Sequence, residues 1–77
     1  MGTESIKDFL SRRDPKGYYV IPAKMIALND HTLTKLIRDS GAIVEPGGGD
    51  IIFIKVKSRS KASRLVRYLM LSKLLAM

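Results

Sequence analysis

The amino-acid sequence predicts a small α+β domain, and three observations lead there. Segments with apolar residues at helical spacing alternate with short β-branched runs such as Tyr18-Tyr19-Val20-Ile21 and Ile51-Ile52-Phe53-Ile54. Turn signals separate them at Asp14-Pro15-Lys16-Gly17, Asn29-Asp30 and Pro46-Gly47-Gly48-Gly49-Asp50. The chain has 77 residues, which suits one core burying roughly 60% of the surface exposed by the unfolded chain.

Each element follows from local chemistry. Ile6, Phe9 and Leu10 repeat at i, i+3 and i+4, so a helix is expected from Thr3 to Arg13, with Thr3 as its N-cap. The Asp-Pro-Lys-Gly turn ends it, and Tyr18 to Ile21 reads as a short strand. Pro22 suits the first position of a brief helix over Ala23 to Leu28, where its missing N–H has no partner to lose. Asn29 and Asp30 then offer N-caps for a helix from His31 to Ser40 with Leu33, Leu36 and Ile37 on one face. Gly41 stands at the expected left-handed C-cap. Ala42 to Val44 and Ile51 to Lys57 flank the glycine loop as a β-hairpin. Ser58 or Ser60 caps a final helix that is expected to continue to the last residue.

Composition narrows the chemistry. There is no cysteine and His31 is the single histidine, so disulfides, thiolate metal sites and imidazole clusters are excluded, and no metal or cofactor is expected. The carboxylates are scattered beside basic residues rather than paired, which argues against an enzyme and leaves no catalytic residues to name. Gly47-Gly48-Gly49 lacks the GK[ST] step of a phosphate-binding loop and reads as a hairpin tip. No secretory signal is visible, and the apolar C-terminal stretch is too short and charged to span a bilayer. A cytoplasmic, nucleoid-associated protein is the expectation.

Charge is the strongest signal. Fourteen Lys and Arg oppose seven Asp and Glu, for a net charge of +7. All the carboxylates lie in the first fifty positions, where as many basic residues balance them. The whole excess therefore falls on Lys55, Lys57, Arg59, Lys61, Arg64, Arg67 and Lys73. A cationic segment without compensating acids attracts polyanions, nucleic acid first.

The segments PAKMIALNDHTLTKLIRDSGAIV and EPGGGDIIFIKVK carry a resemblance to the winged helix-turn-helix family. The likeness is one of pattern: a helix, a tight turn, a second helix ending in glycine, then a hairpin. It implies a helix-strand-helix-turn-helix-hairpin domain over residues 1–57, with an amphipathic helix over 58–77. It also implies that Leu33, Leu36 and Ile37 pack on Met25 and Ile26, while His31, Thr32, Thr34, Lys35 and Arg38 face a DNA major groove. Lys55, Lys57 and Arg59 on the wing, with Lys61 and Arg64 beyond it, would meet the backbone. The implied function is double-stranded DNA binding, mainly through phosphates, as a transcriptional regulator or a chromatin or replication accessory. The stretch IIFIKVKSRSKAS also resembles the basic strand-to-helix junction of Alba-like archaeal chromatin proteins, although the glycine hairpin before it departs from that pattern.

The last helix changes character along its length. Ala62, Leu65, Val66, Leu69 and Met70 form one stripe opposite Lys61, Arg64 and Arg67, and LMLSKLLAM is then apolar nearly all round. Such an end needs cover, so Leu65, Leu69, Leu71, Leu74 and Leu75 are expected to pair with a second copy in a homodimer. The competing function is a protein-interaction subunit docking that helix on a larger complex, a nucleoprotein one included. RNA is a third partner that charge alone does not dismiss, whereas a membrane surface is disfavoured because basic and apolar ends are segregated along the axis.

Overall fold

A computed structural model describes residues 13–76. The helix expected from Thr3 to Arg13 lies outside the described residues apart from its last position. Arg13 itself is extended and bridges Tyr19. Asp14 then closes the turn before the first strand: its Oδ1 accepts the N–H groups of Lys16 and Tyr18, at 3.0 and 2.8 Å.

Strand β1 (Tyr19–Lys24) is longer than its aromatic start suggested and carries Pro22 inside it. Its buried residues alternate, with Tyr19, Ile21 and Ala23 facing the core. Pro22 therefore does not open a helix. β1 is an edge strand in the order β1-β3-β2, and a proline is tolerated there because its nitrogen faces away from the ladder. The Pro22 carbonyl points the same way and accepts the Ala76 N–H at 3.1 Å.

The helix expected over Ala23 to Leu28 is a 3-10 turn, Met25–Asn29, with no side-chain cap at its start. Ala27 is its one buried residue, while Met25 and Ile26 are 42% and 63% exposed. The expected packing of Leu33, Leu36 and Ile37 on Met25 and Ile26 is thus corrected. In a 3-10 turn residues i and i+3 eclipse, so Met25 and Leu28 share an outward side while Ala27 turns to the core.

Asp30 starts helix α1 (His31–Asp39), its Oδ1 accepting the Leu33 N–H at 3.1 Å. Gly41 ends it in the left-handed region, φ 66°, where an L side chain would be strained. Strands β2 (Ile43–Pro46) and β3 (Ile51–Val56) form the hairpin, with Gly48 and Gly49 both at positive φ in its tip. β3 is central and antiparallel to both neighbours, pairing Ile21 with Ile54 and Val44 with Ile54.

Helix α2 (Arg59–Leu71) is capped by Ser58, whose Oγ accepts the Lys61 N–H. Ala62, Leu65, Val66 and Leu69 have no exposure and pack with Leu33, Ile37, Ile52, Ile54 and Val56 in one core. The helices cover one face of the three-stranded sheet. Its other face carries Val20, Phe53 and Lys55 by alternation, all half-buried.

The final helix does not reach the end of the chain. Ser72 turns its hydroxyl onto the Tyr68 carbonyl at 2.7 Å, and Lys73 adopts φ 60°. The chain then returns to the free edge of β1, where Lys24 N–H donates to the Leu74 carbonyl at 2.8 Å and Leu75 bridges Ala23. Leu74 and Leu75 pack half-buried against the core. The apolar end that demanded a cover finds much of it in its own sheet. Among the described residues, no helix is long and apolar enough to cross a membrane.

Candidate nucleic-acid interface

Helix α1 presents one polar face. His31, Thr32, Lys35 and Arg38 are exposed, and Thr34 is half-buried with its hydroxyl donated to the His31 carbonyl at 3.0 Å. These five line a shallow depression of about 410 Å3, which Asp39 also enters. The sequence grouped them correctly, since helical spacing alone puts 31, 35 and 38 on one side. The carboxylate in that depression lowers its pull on phosphate.

Helix α2 presents a second, more strongly cationic face. Arg59, Lys61, Arg64 and Arg67 are exposed, and α2 contains no acidic residue. Among the described residues, no carboxylate forms an ion pair with any of the four. Lys61 and Arg64 share a flank with Tyr68, seven and four positions along. The Tyr68 hydroxyl donates to Asp30 Oδ2 at 2.8 Å, so this basic flank is held against the N-terminus of α1. Asp30 titrates below the ordinary aspartate range because it accepts the Leu33 N–H and then the Tyr68 hydroxyl. Tyr68 is pushed upward by the same bond. The sequence marked Asp30 as a cap but gave no sign of Tyr68 as its partner, because that contact depends on how two helices cross.

The hairpin cations behave differently. Lys55 Nζ lies 2.8 Å from Glu45 and 3.8 Å from Asp14, and its hydrogen bond to Glu45 raises its pKa. An ammonium so engaged would have to exchange those contacts for a phosphate, which makes it a weaker candidate than the cations of α2, unpaired among the described residues. Lys57 stands 5.0 Å above the Tyr18 ring, a cation–π distance, and stays exposed. Strand alternation puts Lys55 on the sheet face opposite the helices, so the hairpin and helical cations do not form one patch.

The expected oligomer residues also divide. Leu65 and Leu69 are fully buried in the chain's own core and cannot meet a second copy while it stays folded. Leu74 and Leu75 are half-buried on β1, and Leu71 alone of the five projects freely, at 79% exposure.

The fold and this surface define a class: a small α+β module with two helices on one side of a three-stranded antiparallel sheet, α2 packed on the sheet with its basic side turned outward. Neither family models, nor curated proteins, nor solved structures give a match to this chain.

Proposed function

We propose that this chain binds nucleic acid through its phosphate backbone, with duplex DNA as the partner and α2 as the principal grip. The observation that carries this reading is the set of exposed cations Arg59, Lys61, Arg64 and Arg67 on a helix without acidic residues, joined through Tyr68 to Asp30 at the start of α1. Phosphate contacts of this kind position a protein without reading sequence. His31, Thr32, Lys35 and Arg38 supply donors for groove edges, with Asp39 limiting their strength. In winged-helix terms the hairpin is the wing and the 3-10 turn stands in for the second helix. A role in transcription or in chromatin follows from the partner, not from any further feature of the site.

Single-stranded RNA is a second reading, favoured by the layering. A sheet backed by helices, with a tight turn leading into α1, offers a backbone clamp comparable to the GXXG loop of KH modules. Here that turn is Ala27-Leu28-Asn29-Asp30. It lacks both glycines and sets a carboxylate where a phosphate would approach, which favours the duplex.

The test is fluorescence anisotropy with one sequence as duplex DNA, single-stranded DNA and single-stranded RNA, titrated with salt. The duplex is expected to bind tightest, with log affinity falling against log salt at a slope of roughly 3 to 4, near 0.9 per phosphate neutralised. Tightest binding of the single-stranded RNA favours the second reading, tightest binding of the single-stranded DNA contradicts both, and no binding at low salt removes both.

A further inference from the structure

The two faces of the sheet are finished differently. Ile21, Ala23, Ile52 and Ile54 turn towards the helices and are buried with them in one core. The opposite face follows from the register, because directly paired residues share a side. Val20 pairs with Lys55, Pro22 with Phe53, and Lys24 with Ile51. The Phe53 ring lies down over the hairpin end, where a Cβ placed on Gly47 would meet it at 3.0 Å. Val20, Pro22, Phe53 and Ile51 thus form an apolar strip along the sheet. None of them belongs to the core, and α1 and α2 both pack on the other side.

The chain enters the sheet at the rim of this strip. Arg13 bridges Tyr19 at the start of β1, and the Asp14 carboxylate lies 3.8 Å from Lys55 Nζ, on the strip's own side. Residues 1–12, outside the described residues, lead to that point. Their sequence sets Ile6, Phe9 and Leu10 on one side of a helical spacing, with Glu4, Asp8 and Ser11 opposite. So short an amphipathic segment is marginal alone in water and needs an apolar surface to rest on. As a helix of about ten residues it would span about 15 Å. The strip is as long as the six-residue strand β1, roughly 20 Å.

Attachment selects the occupant. A segment joined directly to the rim meets the strip at an effective concentration in the millimolar range, so a second copy or a separate ligand would have to displace it.

We infer that residues 3–12 lie across the outer face of the sheet, running back along β1. Phe9 and Leu10 then rest near Val20, and Ile6 rests near Phe53 and Ile51. The inference is independent of the nucleic-acid reading, since it uses no cation of α2 and no residue of the polar face of α1.

Nuclear Overhauser contacts in the full chain test it. They are expected from the Phe9 ring and the Leu10 methyls to Val20, and from Ile6 to Phe53 and Ile51. In a mixture of isotope-labelled and unlabelled chains, none of these contacts should pass from one chain to another. Trypsin supplies a second readout, because cleavage after Lys7 follows the fraction of chains in which the segment is lifted off. Phe9→Ser should speed that cleavage about tenfold, while the contacts between Val20 and its strand neighbours persist. No contact between the segment and the strip overturns the inference, as does a cleavage rate that Phe9→Ser leaves unchanged. Contacts that pass only between chains assign the strip to a second copy. Contacts from Phe9 to the exposed Met25, Ile26 and Leu28 place the segment elsewhere. Either result also overturns it.

Discussion

The Asp30 carboxylate accepts from the Leu33 N–H and from the Tyr68 hydroxyl, and both bonds favour its ionised form. Asp14 is lowered in the same way, first by the Tyr18 N–H. A carboxylate with a lowered folded pKa stabilises the fold above its unfolded value and loses that contribution as pH falls through the folded value. Both begin from 3.8, so the urea midpoint should hold at neutral pH and drop as acidity increases below pH 3.8. Lys55 and Tyr68 are raised, from 10.5 and 10.0, and have the opposite sign. Their contributions persist through neutral pH and disappear as alkali takes the protein through their folded values. Tyr68→Phe should lower the urea midpoint at pH 7 and flatten the acid drop, because Asp30 is then left with one donor fewer. An unchanged acid profile in that variant would contradict the assignment.

At the scale of elements, the C-terminal return is the most open to test. Leu74 and Leu75 are half-buried on β1, and the Lys24 and Ala76 N–H groups are satisfied there. Removing residues 73–77 should cost about 2–4 kcal/mol in chemical denaturation, the magnitude expected for two partly buried leucines. Lys73→Gly should add up to about 1 kcal/mol, since its left-handed φ of 60° strains an L residue. Much of the element order is legible locally: period-2 burial in β1 and β3, the Asp30 cap, Gly41, and the glycines of the hairpin tip. The misreadings share a cause. Pro22 fits both a helix start and an outward edge position, and only the strand order β1-β3-β2 decides between them. Leu74 and Leu75 continue a helical spacing, yet they serve equally well in an extended segment once Ser72 and Lys73 end α2.

Across the whole molecule, the charge asymmetry seen in sequence survives in a narrower form. Lys55 is withdrawn by Glu45 and Asp14, a pairing set by hairpin register and a turn distant in sequence, so composition could not reveal it. The four cations of α2 share one helix and form no ion pair among the described residues. Arg64→Glu with Arg67→Glu should therefore reduce duplex affinity by more than tenfold at low salt and lower the salt slope by about 2, close to one unit for each phosphate no longer neutralised. Lys55→Gln should leave that slope unchanged while lowering stability. Neither variant alters a core residue, so circular dichroism should match the wild type in both.

Backbone amide and side-chain chemical shifts, followed while a generic duplex is added at low salt, test the central proposal most directly. The resonances of Arg59, Lys61, Arg64 and Arg67 should move first and furthest, with those of His31, Thr32 and Lys35 beside them. Shifts confined to the hairpin and the outer sheet face, or no shifts at all, would contradict it.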